Sequence, residues 1–201
     1  MENNSQYIYI DLLHYPLISL GPDIRIGVWL QGCSIHCDGC MSKHTWKKKK
    51  ENLINIKKFC KEITSINIKN ITISGGEPFD QPKALFHLLK CIRNDVEDIL
   101  VYSGYKYEYI KQNFSYILEY IDVLIDGPFN KTLPTNKIYK GSKNQKIYIF
   151  NKKLIDKYLL FMTQTDRNIQ IINKNNKMYI LGIPHINDFT KIKNNLKDKN
   201  G

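Results

Sequence analysis

Short β-branched runs alternate along this chain with longer segments of helical periodicity, and that alternation restricts the fold more than any other feature. The runs fall at residues 24–30, 70–74, 99–102, 121–125 and 146–150. Between them lie predicted helices at residues 51–66, 82–94 and 107–120. In the first helix Leu53, Ile54, Ile56, Phe59, Cys60 and Ile63 recur at helical spacing. Pro82 suits a first helical turn, where its missing N–H costs nothing. This succession predicts an α/β fold with a mainly parallel sheet. After Phe150 the pattern changes. A helix at residues 153–162 precedes two short runs, 167–172 and 178–181, which predict a hairpin around residues 173–177. Residues 1–150 are expected to form the core, and residues 151–201 an extension of the same domain that covers an open sheet edge.

A chain of 201 residues, 42% of them hydrophobic, suffices for one domain with a sizeable core. Its best candidate for a membrane span, residues 7–20, is interrupted by Asp11, His14 and Pro16 and falls short of the roughly 20 apolar residues required. The first six residues lack the basic start and apolar core of a signal peptide. The expectation is therefore a cytoplasmic chain whose five cysteines are reduced. The formal charge of +11 raises the question of nucleic acid. Of the 30 basic residues, however, only Arg25, Arg93 and Arg167 offer the forked guanidinium that phosphates and base edges favour. The charge is better suited to steering an acidic protein partner.

Four unusual segments each follow a predicted strand directly: residues 31–46, 75–78, 103–105 and 126–129. In parallel α/β sheets and barrels, ligands bind where such loops converge. The first segment contains Cys33-x3-Cys37-x2-Cys40. Three thiolates so close together suit an iron–sulfur cluster, and three ligands to a [4Fe–4S] cluster leave one iron open. Gly32 and Gly39 allow the chain to turn tightly around it. Structural zinc with His36 or His44 as fourth ligand is the alternative, although zinc sites usually pair two separated knuckles. On these residues alone, a non-enzymatic iron–sulfur or zinc binding module stays open. Cys60 and Cys91 fall at apolar helical positions and are expected to be buried core thiols.

The cysteine spacing resembles the signature of the radical S-adenosylmethionine superfamily. The wider stretches 21–33 and 40–46 resemble the small activating enzymes of anaerobic ribonucleotide reductase, and the similarity continues at residues 73–79, 102–105, 122–129 and 141–145. Asp23 departs from the family's usual Gly, Lys140 stands where Arg is common, and the shortest members have no counterpart to the tail beyond Phe150.

The resemblance implies a partial, open (β/α) barrel with a small C-terminal hairpin-and-helix extension. It implies a [4Fe–4S] cluster on Cys33, Cys37 and Cys40, with S-adenosylmethionine bound at the open iron. The activity implied is reductive cleavage of that cofactor to a 5′-deoxyadenosyl radical, which makes a glycyl radical on anaerobic ribonucleotide reductase. A radical enzyme modifying a peptide or small metabolite is the alternative within the superfamily. Gly39, Cys40 and Met41 are placed against the adenosine. Ser74, Gly75 and Gly76 bring backbone close to the ligand, and Glu77 accepts from the methionine ammonium. Ser103 and Asp126 line the same pocket, with helix capping an equal reading for Asp126. Asn144 and Gln145 form a polar wall or a turn. Trp29 and Trp46 bracket the cysteine loop as core residues or as shields that tune the cluster. The run Lys47 to Lys50 is a solvated lead-in or a docking site for an acidic electron donor, flavodoxin or ferredoxin.

Overall fold

The computed structural model describes residues 6–174 and 177–184. Its central element is a seven-stranded sheet of β1 (Tyr7–Leu17), β2 (Arg25–Leu30), β3 (Leu53–Asn55), β4 (Asn70–Gly75), β5 (Asp98–Tyr102), β6 (Val123–Asp126) and β7 (Lys146–Ile149), in the order β3-β1-β2-β4-β5-β6-β7. The four middle strands, β2, β4, β5 and β6, run parallel. On one side β1 pairs antiparallel with both β2 and β3, and on the other β7 pairs antiparallel with β6. Helices α1 (Ile56–Ser65), α2 (Pro82–Ile92) and α3 (Tyr107–Leu118) make the crossovers. The sheet is open, its edges being β3 and β7.

Alternation along each strand divides the core between the two faces. Ile8, Ile10, Ile26, Val28, Ile71, Ile73, Ile99 and Val101 are buried with α1, α2 and α3. Leu100, Val123 and Ile125 point the other way and meet Tyr158 and Phe161 of α4 (Ile155–Thr163). Leu12, Leu17 and Trp29 are covered by Leu181 of the hairpin β8 (Gln170–Lys174) and β9 (Lys177–Leu181). The extension therefore covers a sheet face and not the edge expected from sequence. The apolar side chains left outward by β5 and β6 need a cover, whereas β7 already occupies the edge beside β6. Lys157 of α4 reaches the amino ends of the parallel strands. Its Nζ lies 2.8 Å from Asp98, 2.8 Å from Asp23 and 3.1 Å from Asn70. Residues 185–201, which include a polar, Lys-rich stretch at 187–201, fall outside the described residues.

Two strands escaped the sequence reading. β1 is the segment weighed only as a membrane span, although Ile8, Ile10 and Leu12 alternate and are buried. β3 lies inside the predicted first helix. Asn55 ends it by accepting from Lys58 N at 3.2 Å, so α1 starts at Ile56. Among the described residues no helix is long and apolar enough to cross a membrane.

Candidate active site at the carboxyl rim

Each parallel strand delivers its following loop to the same rim, and backbone hydrogen bonds join those loops. Gly76 N donates to Leu30 O at 2.8 Å, and Glu77 N donates to Gly32 O at 2.7 Å. Ser103 N donates to Ile125 O at 2.9 Å, and Gly127 N to Tyr105 O at 3.0 Å. The cysteine loop is closed at its base, where Gly32 N donates to Thr45 O and Cys33 N to Trp46 O. The reach of this loop extends to the far side of the rim: a Cβ on Gly39 would meet Phe129, Asp38 pairs with Lys131 at 2.6 Å, and Ile35 lies over Gly104. All four segments singled out from sequence therefore converge.

The three loop thiols are half-buried and unpaired with one another as disulfides. Burial pushes the Cys33 thiol up, with Glu77 and Asp80 adding to it. Burial likewise pushes Cys37 up, with Cys40 contributing. Bringing iron to these sulfurs would displace their protons and relieve both effects. Among the described residues, no three His, Cys, Asp or Glu side chains are gathered tightly enough to clasp a single ion. The fit to a cluster rests on the donor set: three soft thiols on one eight-residue loop, with Gly39 at φ +78° between the last two. The His36 ring stacks on Trp46 with centroids 4.4 Å apart.

The glycines of the β4 loop are required by the chain itself. A Cβ on Gly75 would lie 2.4 Å from Leu30 N, and one on Gly76 would lie 2.2 Å from Gly32 O. Gly75 also has φ +105°. Ser74 is half-buried beside them, and Met41 is exposed at 44%.

The two carboxylates proposed from sequence are both engaged by the protein. Glu77 is 1% exposed and accepts from Phe79 N at 3.0 Å, Ser103 Oγ at 2.8 Å and Gly104 N at 2.7 Å. Burial pushes its carboxyl up to about 7, against the pull of those donors, and Asp80 adds to the rise. Asp126 accepts from Tyr107 N at 2.7 Å, at the start of α3, and from Lys146 N at 3.0 Å on β7. Asp126 thus ties the start of α3, the helix before it in sequence, to the start of β7. Ser103 is likewise committed, donating to Glu77 and accepting from Tyr105 N at 3.0 Å. Asn144 and Gln145 brace the β6 loop, donating to Pro128 O and Gly127 O.

Residues absent from the sequence reading turn out to hold the cysteine loop. Asp80 accepts from Ser34 N at 2.6 Å, Ser34 Oγ at 3.0 Å and the Tyr105 hydroxyl at 2.8 Å. Ser34 directly follows Cys33, so this carboxylate fixes the loop at its first ligand position. Gln31 is fully buried, donates to Asp11 and accepts from Lys49 N. Gln81 links Tyr9 to Gln31 O. The signal available was position: Asp80 and Gln81 directly extend the Gly-Gly-Glu-Pro-Phe motif. A cavity of about 500 Å³ lies at the opposite, amino rim, between Gly21–Ile24 and α4, away from the cysteines.

The family described as "4Fe-4S single cluster domain" matches residues 19–148. The anaerobic ribonucleoside-triphosphate reductase-activating protein of Enterobacteria phage T4 is 33% identical over 135 residues, 64% of this chain and 85% of that one. Its namesake from Escherichia coli K12 is 29% identical over 163 residues, 73% of this chain and 97% of that one. Among solved structures, QueE from Escherichia coli aligns at a TM-score of 0.45 and 14% identity, covering 79% of this chain and 78% of that one. The family match over residues 19–148, together with a 33%-identical relative covered over 85% of its length, assigns the chain to the family of anaerobic ribonucleoside-triphosphate reductase-activating proteins.

Proposed function

We propose that this protein is the activase of an anaerobic ribonucleoside-triphosphate reductase. In this reading it carries a [4Fe–4S] cluster on Cys33, Cys37 and Cys40 and binds S-adenosylmethionine beside it. The observation that carries this reading is the convergence of the three-cysteine loop with the loops after β4, β5 and β6 on one rim. When bound, the cluster supplies the electron that splits S-adenosylmethionine into methionine and a 5′-deoxyadenosyl radical. The chain's own residues position and shield. Asp80 and Tyr105 hold the loop at Ser34, and Trp46 buttresses it through His36. Gly39, Met41, Ser74, Gly75, Gly76 and Glu77, with Ser103 and Asp126 behind them, form the wall offered to the cofactor. Because Glu77 and Asp126 bind the protein's own N–H groups, their part is to hold that wall in shape. Any direct contact of Glu77 with the methionine ammonium would use the remaining lone pairs of its oxygens. Residues 151–184 complete the same domain from the other face of the sheet.

The exposed lysines from Lys47 to Lys50 leave the cysteine loop directly, which suits docking of an acidic donor such as flavodoxin or ferredoxin. A reducing cytoplasm accords with the free cysteines. The test is anaerobic. Protein reconstituted with iron and sulfide is reduced and mixed with S-adenosylmethionine and the reductase. Expected are about four iron per chain, 5′-deoxyadenosine, and a glycyl radical signal on the reductase. Cys33→Ala, Cys37→Ala and Cys40→Ala should each lose all three. Deoxyadenosine without a glycyl radical would point to a peptide or small-metabolite substrate instead. Zinc without iron would overturn the cluster.

A further inference from the structure

Two cysteines take no part in the site above, and the fold brings them together. Cys60 lies on α1 and Cys91 on α2, helices that pack side by side on one face of the sheet. They are separated by 31 positions in sequence, yet the packing of α1 on α2 sets Cys91 close enough to act on the Cys60 thiol. Cys60 is buried at 4% exposure, whereas Cys91 is exposed, contrary to the buried site expected from its helical position. The final turn of α2 carries Cys91 to the surface while Ile92 turns inward. One sulfur of the pair is thus open to reagents in solution and the other is shielded directly behind it.

We propose that Cys60 and Cys91 are a redox-active dithiol that closes to an intramolecular disulfide by exchange with a small-molecule disulfide, pinning α1 to α2. The exposed Cys91, as thiolate, attacks one sulfur of the reagent, forming a mixed disulfide and expelling one thiolate. Cys60 then gives up its proton to solvent and attacks the Cys91 sulfur, expelling the second thiolate. Two protein thiols and one reagent disulfide become one protein disulfide and two reagent thiols, and both electrons leave with those thiols. Burial, reinforced by Cys91, pushes the Cys60 thiol up, which makes the second displacement the slower one. The consequence for the fold is specific. α1 leads into β4 and α2 follows the β4 loop, so the bond ties together the two helices that flank the Ser74–Glu77 segment. It records oxidising conditions at the last turn of α2, the end of that helix away from the cysteine loop.

The experiment treats the anaerobic, cluster-loaded protein with excess glutathione disulfide, quenches it by alkylation and maps its peptides. The expected product is a peptide pair joined through Cys60 and Cys91, lost on treatment with dithiothreitol, with the cluster's visible absorbance retained. In Cys60→Ser, Cys91 should stop at a glutathione adduct, and in Cys91→Ser, Cys60 should stay unmodified. Wild-type protein in which Cys91 ends as a glutathione adduct or free thiol while Cys60 remains free would overturn the proposal. A bond from either cysteine to the loop cysteines would overturn it equally. The linked peptides are read without any activity assay, so the result is independent of the activase reading.

Discussion

Glu77 shows how a single side chain can be necessary to a site while spending its bonds on the protein. Its two oxygens receive three donors, two of them main-chain N–H groups from different segments. Glu77→Gln would turn an NH₂ toward one of those donors and leave a buried N–H or O–H without an acceptor. Such a group costs about 1–3 kcal/mol, and denaturant melts of the variant should show that loss. If the Ser74–Glu77 segment holds the cofactor, the variant should also need more S-adenosylmethionine to perturb the reduced cluster's paramagnetic signal. Acid–base behaviour gives a second readout. A carboxyl raised to about 7 in the folded state binds its proton more tightly there than in the unfolded chain. Its stabilising effect is therefore present at low pH and is lost as pH rises from the ordinary carboxylate range through about 7. Melts of cluster-free protein across that window should show the decline in wild type and a flatter profile in Glu77→Gln.

At the scale of elements, the β4 loop and the cysteine loop are built as one piece, because the backbone of Gly75–Glu77 lies against that of Leu30–Gly32. A methyl on Gly76 would sit 2.2 Å from the Gly32 carbonyl oxygen, which cannot rotate away. Gly76→Ala should cost at least the roughly 1–3 kcal/mol of an overpacked core and should impair cluster retention, since the strain falls next to Cys33. Gly104→Ala provides the contrast. Its methyl would meet Cδ1 of Ile35 at 2.5 Å, the mobile end of a side chain on an exposed loop. The cost there should be well below that of Gly76→Ala, with the cluster retained. Comparing melting temperatures and iron content of the two variants checks both statements. Equal losses would mean that the two loops are not joined through their backbone.

The molecule as a whole has opposed ends: sulfur and loops at the carboxyl rim, buried charge at the amino rim. Arg25 and Asp98 are both fully buried and paired at 2.9 Å, and Tyr158 donates to Asp98 at 2.8 Å. Lys157 completes the group from α4. Burial pushes the Asp98 carboxyl up, but the hydrogen bonds and charges of Arg25 and Lys157 outweigh it and hold it below the usual carboxylate range. Its contribution to stability is thus present at neutral pH and lost as pH falls through that depressed value. Asp98→Ala would strand Arg25 in the interior. The expected loss is about 3–5 kcal/mol, read by chemical denaturation, with the acid limb of the stability profile flattened. Because α4 joins this group, the extension is expected to unfold together with the core in that variant.

Much of the site was legible from residue types alone. Three thiolates within eight residues can do little but gather around metal, and they read the same whatever surrounds them. The parallel strands were legible too, since Ile99–Val101 is an uninterrupted apolar run and Ile71–Ile73 is broken only by Thr72, a pattern suited to a doubly covered sheet. β1 was not read as a strand because a chain of alternating apolar residues carrying Asp11 and His14 gives no sign of which sheet it will join. β3 was masked by apolar residues that fit helix and strand equally. Tertiary structure alone decided which polar atoms remain for a ligand. Glu77 and Asp126 are acceptors by composition, but their donors come from segments 26 and 19 positions away. Asp80 reaches Ser34 across 46. Cys60 and Cys91 look alike in a helical pattern, and only the packing of α1 on α2 makes one buried, the other exposed and the two a pair. Local sequence determines what a residue can donate, accept or ligate. Which partner it meets is settled by where the sheet brings distant segments together, and no local pattern encodes that.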